Sequence, residues 1–274
     1  MACMFTTWIA GNATVAKIEL MAASKKSRRQ RGSGTAQVTE RKLDSGWIVA
    51  PGIRVRQAWP ADMDAVGGLV TLAGVTLDDV LYGAVASGAA GHALRAGLSR
   101  GREGFNRYIA EQLIAHPDDP LQAYLSAALV LVAEDQAGGV VGAVVAYPPA
   151  NLVQLHIDGA RRRGMTDPQL SQLMMLGAIG LAKIKALAVA EPARGQHVGT
   201  ALLLRCRQVF FACGYVLLYG QMPPVPGLDD FYRRNGFEVL GQGEGLDLWP
   251  VFGIHSMVDT DPGERFFLRY RPPS

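Results

Sequence analysis

The sequence has few cysteines and no long apolar run, and both absences exclude classes of protein. Three cysteines among 274 residues cannot build the disulfide framework of a small secreted domain, which favours a reducing cytoplasm. No stretch of about 18 apolar residues is free of charges and turn formers, so the sequence predicts no transmembrane helix. Residues 1–24 also lack the continuous apolar stretch of a signal peptide. We therefore expect a cytoplasmic protein without a membrane partner.

The residues that usually bind metals lack the spacing of a metal site. His156 and Asp158 have no further ligand at a suitable distance along the chain, and no zinc motif occurs. Cys206 and Cys213 lie two helical turns apart, about 10 Å, which is too far for a disulfide. We expect no metal cofactor, and we assign both cysteines to the core.

Positive charge is concentrated in the first 46 residues. This segment holds eight Lys/Arg against three Asp/Glu, a balance of +5, whereas the remaining 19 Lys/Arg and 21 Asp/Glu give −2. The basic stretch at 25–31 has no helical or strand period, which predicts a flexible basic extension over residues 1–46. The alternative is a contact between this stretch and nucleic acid or anionic lipid. For the folded body we expect no nucleic-acid partner.

Residues 47–274 have the mixed pattern of one α/β domain. Ile53 to Gln57 alternates apolar and polar residues, as in a half-buried strand, and 61–116 looks helical. Two apolar runs around Asp135 to Gly139 predict a hairpin. Apolar residues at helical spacing predict a helix from Gly199 to Cys213. Further strands are expected near 184–190, 215–219, 237–240 and 265–270, further helices at 167–180 and 229–235, and an irregular segment at 151–164.

A turn of small and polar residues lies between the strand at 184–190 and the Gly199 helix. Its sequence is Glu191-Pro192-Ala193-Arg194-Gly195-Gln196-His197-Val198-Gly199-Thr200. A helix N-terminus presents unpaired backbone N–H groups and the positive end of the helix dipole, which together suit phosphate or pyrophosphate. The turn is neither a Gly-x-x-x-x-Gly-Lys-Ser/Thr phosphate loop nor a Rossmann glycine motif.

This turn resembles the acetyl-CoA-binding segment of the GNAT acetyltransferase superfamily, whose signature is Arg/Gln-x-x-Gly-x-Gly/Ala after a central strand. Arg194 and Gly199 match the signature, and His197 stands in place of its first glycine. Residues 231–238, Phe-Tyr-Arg-Arg-Asn-Gly-Phe-Glu, match the family's aromatic-Tyr-x-x-x-Gly-Phe element. The resemblance covers residues 53–271. It implies a mixed, mostly antiparallel α/β (α+β) sheet of about six to seven strands with helices on both faces.

The resemblance implies that acetyl-CoA is the acyl donor. The pantetheine arm would lie beside the splayed central strand like an additional β partner, against backbone groups of Leu187, Ala188 and Val189. Backbone N–H groups of the turn would hold the pyrophosphate. These residues are Arg194, Gly195, Gln196, His197, Val198, Gly199 and Thr200.

Two residues are candidates for proton transfer. Tyr232 matches the family's frequent general acid, which protonates the departing CoA thiolate, and the alternative is a packing role. Glu191, at the end of the central strand, is the candidate base for an acceptor ammonium, and the alternative is an ordinary surface carboxylate. The backbone N–H near Val189 would polarise the thioester carbonyl.

The sequence therefore predicts an N-acetyltransferase that moves an acetyl group directly from acetyl-CoA to a primary amine in a ternary complex. The acceptor, a small molecule or a peptide, is not identified, and monomer and homodimer both stay open. Two alternatives keep the fold: a transferase that uses a longer acyl-CoA, and a non-catalytic acyl-CoA-binding regulator. The regulator is suggested by His197 in the signature and by the absence of a compelling base.

Overall fold

In the computed structural model, which describes residues 38–117, 119–253 and 256–272, two central strands are apolar on both faces. These are β3 (Leu129–Glu134) and β4 (Val140–Tyr147). Leu131 and Val144 belong to one buried cluster, and their chain neighbours Val130 and Val145 belong to another. Because successive side chains of a strand point to opposite faces, the two clusters mark the two sides of one sheet.

The main sheet has eight strands in the order β1-β2-β3-β4-β5-β6-β10-β7. Every neighbouring pair is antiparallel except β5 and β6, which are parallel. A separate pair, β8 and β9, is antiparallel. The remaining strands are β1 (Trp47–Ala50), β2 (Ile53–Gln57), β5 (Leu181–Val189), β6 (Leu217–Met222), β7 (Glu238–Val239), β8 (Leu246–Asp247), β9 (Met257–Val258) and β10 (Arg265–Tyr270). The predicted fold class is confirmed, with one strand more than expected.

Helices cover both faces of the sheet. Val66 of α2 (Met63–Leu72) and Leu81 of α3 (Asp79–Ala86) join the cluster on one face. Leu202 of α8 (Val198–Cys213) and Ile109 of α4 (His92–Ala115) join the cluster on the other. The other helices are α1 (Glu40–Ser45), α5 (Leu121–Ser126), α6 (Ala150–Arg162), α7 (Asp167–Gly180), α9 (Leu228–Arg234) and α10 (Trp249–Phe252).

The segment at 151–164, which the sequence analysis treats as irregular, is mostly helix α6. Its buried residues Val153, Ile157 and Ala160 recur at intervals of four and three, the spacing of one helix face. Pro149 occupies the N-cap position, where a missing N–H costs nothing because a helix start leaves its N–H groups unpaired. Pro149 therefore marks the beginning of this helix.

Residues 40–46, which the sequence analysis places in the basic extension, belong to the folded body. Leu43 of α1 is fully buried, and Trp47 directly after it is 2% exposed. Arg95 of α4 forms an ion pair with Asp44, Nη2 to Oδ1, at 2.6 Å. A single apolar residue among charged ones gives no readable period, so this helix was not predictable from the pattern. The rest of the predicted extension, residues 1–37, lies outside the described residues.

A buried ion-pair network joins β2 to the start of α2. Arg56 is 2% exposed and donates to both carboxylate oxygens of Asp62, at 2.6 and 3.0 Å. Its Nε also donates to Glu134 of β3 at 2.5 Å, and Trp59 stacks over the guanidinium at 3.8 Å. Burial alone would raise the pKa of Asp62, but the hydrogen bonds from Arg56 and the Trp59 N–H outweigh it and lower that pKa.

Candidate functional site

The central feature of the site is the separation of β5 from β6. The two strands are paired from Leu181 opposite Leu217 to Ile184 opposite Gly220, and no later pair follows. On its other edge β5 stays paired with β4 as far as Val189 opposite Gly142. One edge of β5 over residues 185–189 is therefore open, and an extended ligand can pair with it.

A β-bulge at Lys185 coincides with this separation. Val145 of β4 faces Ala186 and Ala146 faces Ile184, which leaves Lys185 as the extra residue. Ala190 donates its N–H to Val141 of β4. Because backbone groups alternate in direction along a strand, Ala188 also faces β4, whereas Leu187 and Val189 direct their N–H and C=O groups to the open edge.

The turn after β5 has a row of backbone N–H groups with no partner among the described residues. After a 3-10 turn at Glu191–Ala193, the first helical hydrogen bond of α8 runs from Ala201 to His197. The N–H groups of residues 195–200 donate to no backbone or side-chain acceptor in the part of the chain that the structure describes. Arg194 folds back over the turn, and its Nε donates to the Val189 carbonyl at 3.2 Å.

His197 is the N-cap of α8 and has a left-handed backbone, with φ of 62° and ψ of 13°. It is the only non-glycine residue with positive φ among the described residues. The family signature has glycine here because the turn needs this conformation, which costs an L residue about 1–2 kcal/mol. His197 therefore keeps the backbone path of the signature, with its N–H among the unpaired groups.

Phe267 connects Tyr232 to the point where β5 and β6 separate. Its ring stacks on Phe267 of β10 at 3.6 Å between centroids. Phe267 lies opposite Gly220 in the sheet, and a Cβ on Gly220 would come within 2.2 Å of that ring. The Tyr232 hydroxyl has no hydrogen-bond partner among the described residues, and burial raises its pKa well above the usual value. The phenol is held in place by its ring and has a free O–H.

The structure gives less support to Glu191 as a base. Its side chain is exposed on the 3-10 turn, and no described residue contacts it through a hydrogen bond or ion pair. The other predicted positions are brought together: Phe231, beside Tyr232, lies 3.4 Å from where a Gly199 Cβ would be, and Val189 lies 3.6 Å from it. The strand end, the turn and α9 therefore converge at Gly199.

The sequence analysis missed a polar group on the opposite face of the opening. Tyr147 of β4, Lys183 of β5 and Tyr219 of β6 are register partners on neighbouring strands, and Lys183 donates its Nζ to Gln221. Burial and the nearby Lys185 charge lower the pKa of Lys183. Two lysines within an otherwise apolar strand were the available signal. These residues lie one position before the last pair of β5 and β6. Tyr147 and Lys183 are partly exposed, whereas Tyr219 is buried.

The family comparison agrees with this geometry. Residues 126–239 match the family model described as the acetyltransferase (GNAT) domain, and the match spans the open strand, the turn and α9. By this match, residues 126–239 form a GNAT acetyltransferase domain. The predicted family, its fold class and its acyltransferase class are confirmed. A search of curated proteins gave no match.

Several solved structures resemble the GNAT domain at low identity. The protein yncA of Salmonella typhimurium, described as an acetyltransferase with its cofactor acetyl-CoA, is 15% identical, with 81% of this chain and 96% of that chain covered and a TM-score of 0.42. A polyamine N-acetyltransferase of Drosophila melanogaster is 17% identical, with 80% and 99% covered and a TM-score of 0.41. A ribosomal-protein-alanine N-acetyltransferase of Brucella melitensis is 18% identical, with 79% and 98% covered and a TM-score of 0.39. Such low similarity identifies neither the acceptor nor the mechanism of this GNAT domain.

Neither a cluster of metal-binding side chains nor a membrane-spanning helix occurs among the described residues. Within 38–117, 119–253 and 256–272, no group of three or more His, Cys, Asp or Glu side chains could hold a metal ion. Across the same residues, no helix combines the length and the apolar character needed to cross a bilayer. Cys206 and Cys213 are unpaired and buried, as predicted.

Proposed function

We propose that this protein transfers an acetyl group from acetyl-CoA to a primary amine, with the donor lying along the open edge of β5. One observation carries the proposal: the free edge at residues 185–189 leads directly into the unpartnered N–H groups of residues 195–200. Donors for an amide-containing arm and for a diphosphate thus follow one another in the order that CoA requires.

The strand supplies backbone groups for the arm of the donor. Leu187 and Val189 direct their N–H and C=O groups to the open edge, whereas Ala188 faces β4 and packs its side chain into the core. We assign the contact with the pantetheine amides to Leu187 and Val189, and to Ala188 the role of a spacer between them. An N–H from the same edge would polarise the thioester carbonyl.

The turn supplies the diphosphate site. Gly195, at φ of 76°, and His197 let the backbone curl so that successive N–H groups converge, and the α8 dipole adds its positive end. Gln196 stabilises the turn, because its Nε2 donates to the Pro192 carbonyl at 3.0 Å. Val198, Gly199 and Thr200 contribute the free N–H groups of the first helical turn, and Arg194 adds a guanidinium beside them.

The transfer step needs one proton accepted and one donated. A neutral amine attacks the thioester carbonyl carbon, the N–C bond forms, the C–S bond breaks, and the thiolate leaves. Tyr232 would give its phenolic proton to that thiolate, and its raised pKa keeps the phenol protonated beforehand. An acceptor that binds as an ammonium first gives its extra proton to water. The attacking nitrogen loses a second proton as the amide forms, and a base accepts that proton. Glu191 is our candidate, acting through water because its side chain is exposed.

Two alternatives make different predictions for the same assay. A transferase with a longer acyl-CoA would release CoA faster from that donor than from acetyl-CoA. A non-catalytic regulator would bind CoA esters and release no thiol with any amine. The polar residues Tyr147, Lys183 and Tyr219 below the opening favour an acceptor site, and therefore a transferase, over a regulator.

The test is the rate of CoA thiol release by the full chain with acetyl-CoA and a panel of primary amines and peptides. We expect amine-dependent release that falls at least about a hundredfold in Tyr232→Phe, the lower end of the usual contribution of general acid catalysis. Tyr82→Phe is the control, because this tyrosine lies on α3 and not in the aromatic cluster around Tyr232. Tight acetyl-CoA binding without release for any amine would instead support the regulator.

A further inference from the structure

A cavity of about 300 Å³ lies between α8 and the end of α9, and three of its seven lining residues are arginines. Thr200, Leu204 and Arg207 come from one side of α8, at helical spacings of four and three. Arg234 comes from the last turn of α9, and Arg269 comes from β10. Asn235 and Gly236 complete the lining.

Two of the three guanidiniums are fixed by the C-terminal end of α9. Arg207 donates its Nη1 to the Asn235 carbonyl at 2.9 Å, and Arg269 donates its Nη1 to the Gly236 carbonyl. Each guanidinium has five N–H donors, so most of their donors stay available. Arg234 has no hydrogen bond or ion pair with any described residue. The cavity thus combines two anchored guanidiniums with one free one.

The cavity has no counter-charge. No Asp or Glu lines it, and none of its arginines lies within 4.0 Å of a carboxylate among the described residues. Burial, and then the positive charge of Arg269, lower the pKa of Arg207. Three like charges gathered without an anion destabilise one another, and an anionic ligand would remove that cost. Guanidiniums recognise phosphate oxygens through paired hydrogen bonds.

The cavity adjoins the proposed donor site, because Thr200 belongs both to the cavity and to the row of free N–H groups at the start of α8. We propose that this cavity binds a phosphate monoester, and that the 3′-phosphate of CoA is its source. The assignment rests on the proposed function, since it places the nucleotide end of the same donor. It implies selection of CoA thioesters over acyl groups carried on dephospho-CoA or pantetheine.

The test compares calorimetric titrations of the full chain with CoA and with dephospho-CoA. We expect dephospho-CoA to bind roughly tenfold or more weakly, as for loss of charge-assisted hydrogen bonds. Arg234→Gln should weaken CoA binding by a similar factor and leave dephospho-CoA binding unchanged. Arg233→Gln is the matched control, because the neighbouring Arg233 pairs loosely with Asp229 and Asp230 at 3.7 and 4.0 Å and does not line the cavity.

A second measurement distinguishes the 3′-phosphate of CoA from the phosphate of another ligand. It also tests the cavity whether or not the chain binds CoA. The ³¹P line width of inorganic phosphate is recorded with the wild-type chain and with Arg234→Gln. If CoA and dephospho-CoA bind equally and Arg234→Gln removes the line broadening, the cavity binds phosphate from a ligand other than CoA. The assignment to the 3′-phosphate of CoA would then be wrong. Equal binding with no effect of Arg234→Gln on the line would overturn the inference. Failure of wild-type protein to bind CoA would refute the proposed function, and the phosphate line would still decide the cavity.

Discussion

Ile184 of β5 and Gly220 of β6 form the last residue pair that these parallel strands share. Gly220 has no side chain, and the edge of the Phe267 ring occupies the space where a Cβ would be. Tyr232 stacks on the same Phe267 ring. The point where the sheet opens is thus coupled to the phenol that we assign as the acid. One glycine lets the ring approach the strand, and the ring positions the tyrosine.

His197→Gly should stabilise the protein. The left-handed backbone at this position costs a non-glycine residue about 1–2 kcal/mol, and the added freedom of glycine in the unfolded chain offsets up to about 1 kcal/mol. We expect a net gain of roughly 0.5–1 kcal/mol in the free energy of unfolding, measured with urea, with donor binding retained. Gln196→Gly, where φ is negative, should lose stability. A loss for His197→Gly as large as that control would contradict the strain assignment.

Gly236→Ala should cost more than Gly243→Ala, although both glycines have positive φ, at 77° and 74°. A Cβ on Gly236 would lie 1.8 Å from the Arg269 guanidinium, whereas a Cβ on Gly243 would meet nothing within 4 Å. Both variants carry about 1–2 kcal/mol of backbone strain, and only Gly236→Ala also displaces Arg269. We predict at least about 1 kcal/mol between them in thermal or urea unfolding. Equal losses of stability would show that the Arg269 side chain moves aside without cost, and would contradict the prediction.

Asp62→Asn should destabilise the protein by about 3 kcal/mol, because it leaves the buried Arg56 guanidinium without its principal partner. The wild-type pKa values of Asp62 and Glu134 are lowered in the fold. Their stabilising contribution is therefore complete above the ordinary carboxyl pKa of about 4 and is lost as pH falls through the lower folded values.

The measurement is urea unfolding of both proteins between pH 7 and pH 2.5. The difference between wild type and Asp62→Asn should shrink below about pH 4, as the wild-type carboxylate becomes protonated. Asp158→Asn, which breaks an exposed pair with Arg161 at 3.4 Å, should change stability by less than about 1 kcal/mol at every pH. A gap for Asp62→Asn that is constant down to pH 2.5 would refute the ionic account.

Tyr232→Phe should separate activity from stability. The ring contacts with Phe267 and Phe237 are kept, and the hydroxyl has no partner to lose, so the free energy of unfolding should stay within about 0.5 kcal/mol of wild type. Acetyl-CoA affinity should also be retained, while amine-dependent thiol release falls. Unchanged turnover would return Tyr232 to a packing role.

Local sequence patterns predicted much of the fold. The helix ending at Cys213 is followed by Gly214 at φ of 99°, as expected of a helix terminator. The hairpin around Asp135 is closed by that side chain, whose Oδ1 accepts the N–H groups of Ala137 and Gly139. These features depend on neighbouring residues only. Helix α1 depends instead on the distant surface that buries Leu43, which no local pattern reports.

Some features of the candidate site were likewise predictable from local sequence, and others were not. The turn at 194–200 and the Phe231-Tyr232 element were predictable because a short contiguous motif carries each. Two other features were not predictable, because each brings together residues from separate elements. Tyr147, Lys183 and Tyr219 come from β4, β5 and β6, and the arginines of the cavity come from α8, α9 and β10. The bulge at Lys185 was not predictable either, because the register between β5 and β4 defines it and the residue type at position 185 does not.

The measurement that tests the central claim most directly is calorimetric titration of acetyl-CoA into the full chain, beside Gly199→Glu and Gly199→Gln. Gly199 lies among the free N–H groups, so a carboxylate there should repel the diphosphate, whereas the neutral isostere controls for size. We predict binding by wild type, a loss of about tenfold or more for Gly199→Glu, and a clearly smaller loss for Gly199→Gln. No binding by wild type, or equal losses in both variants, would contradict a diphosphate site at this turn.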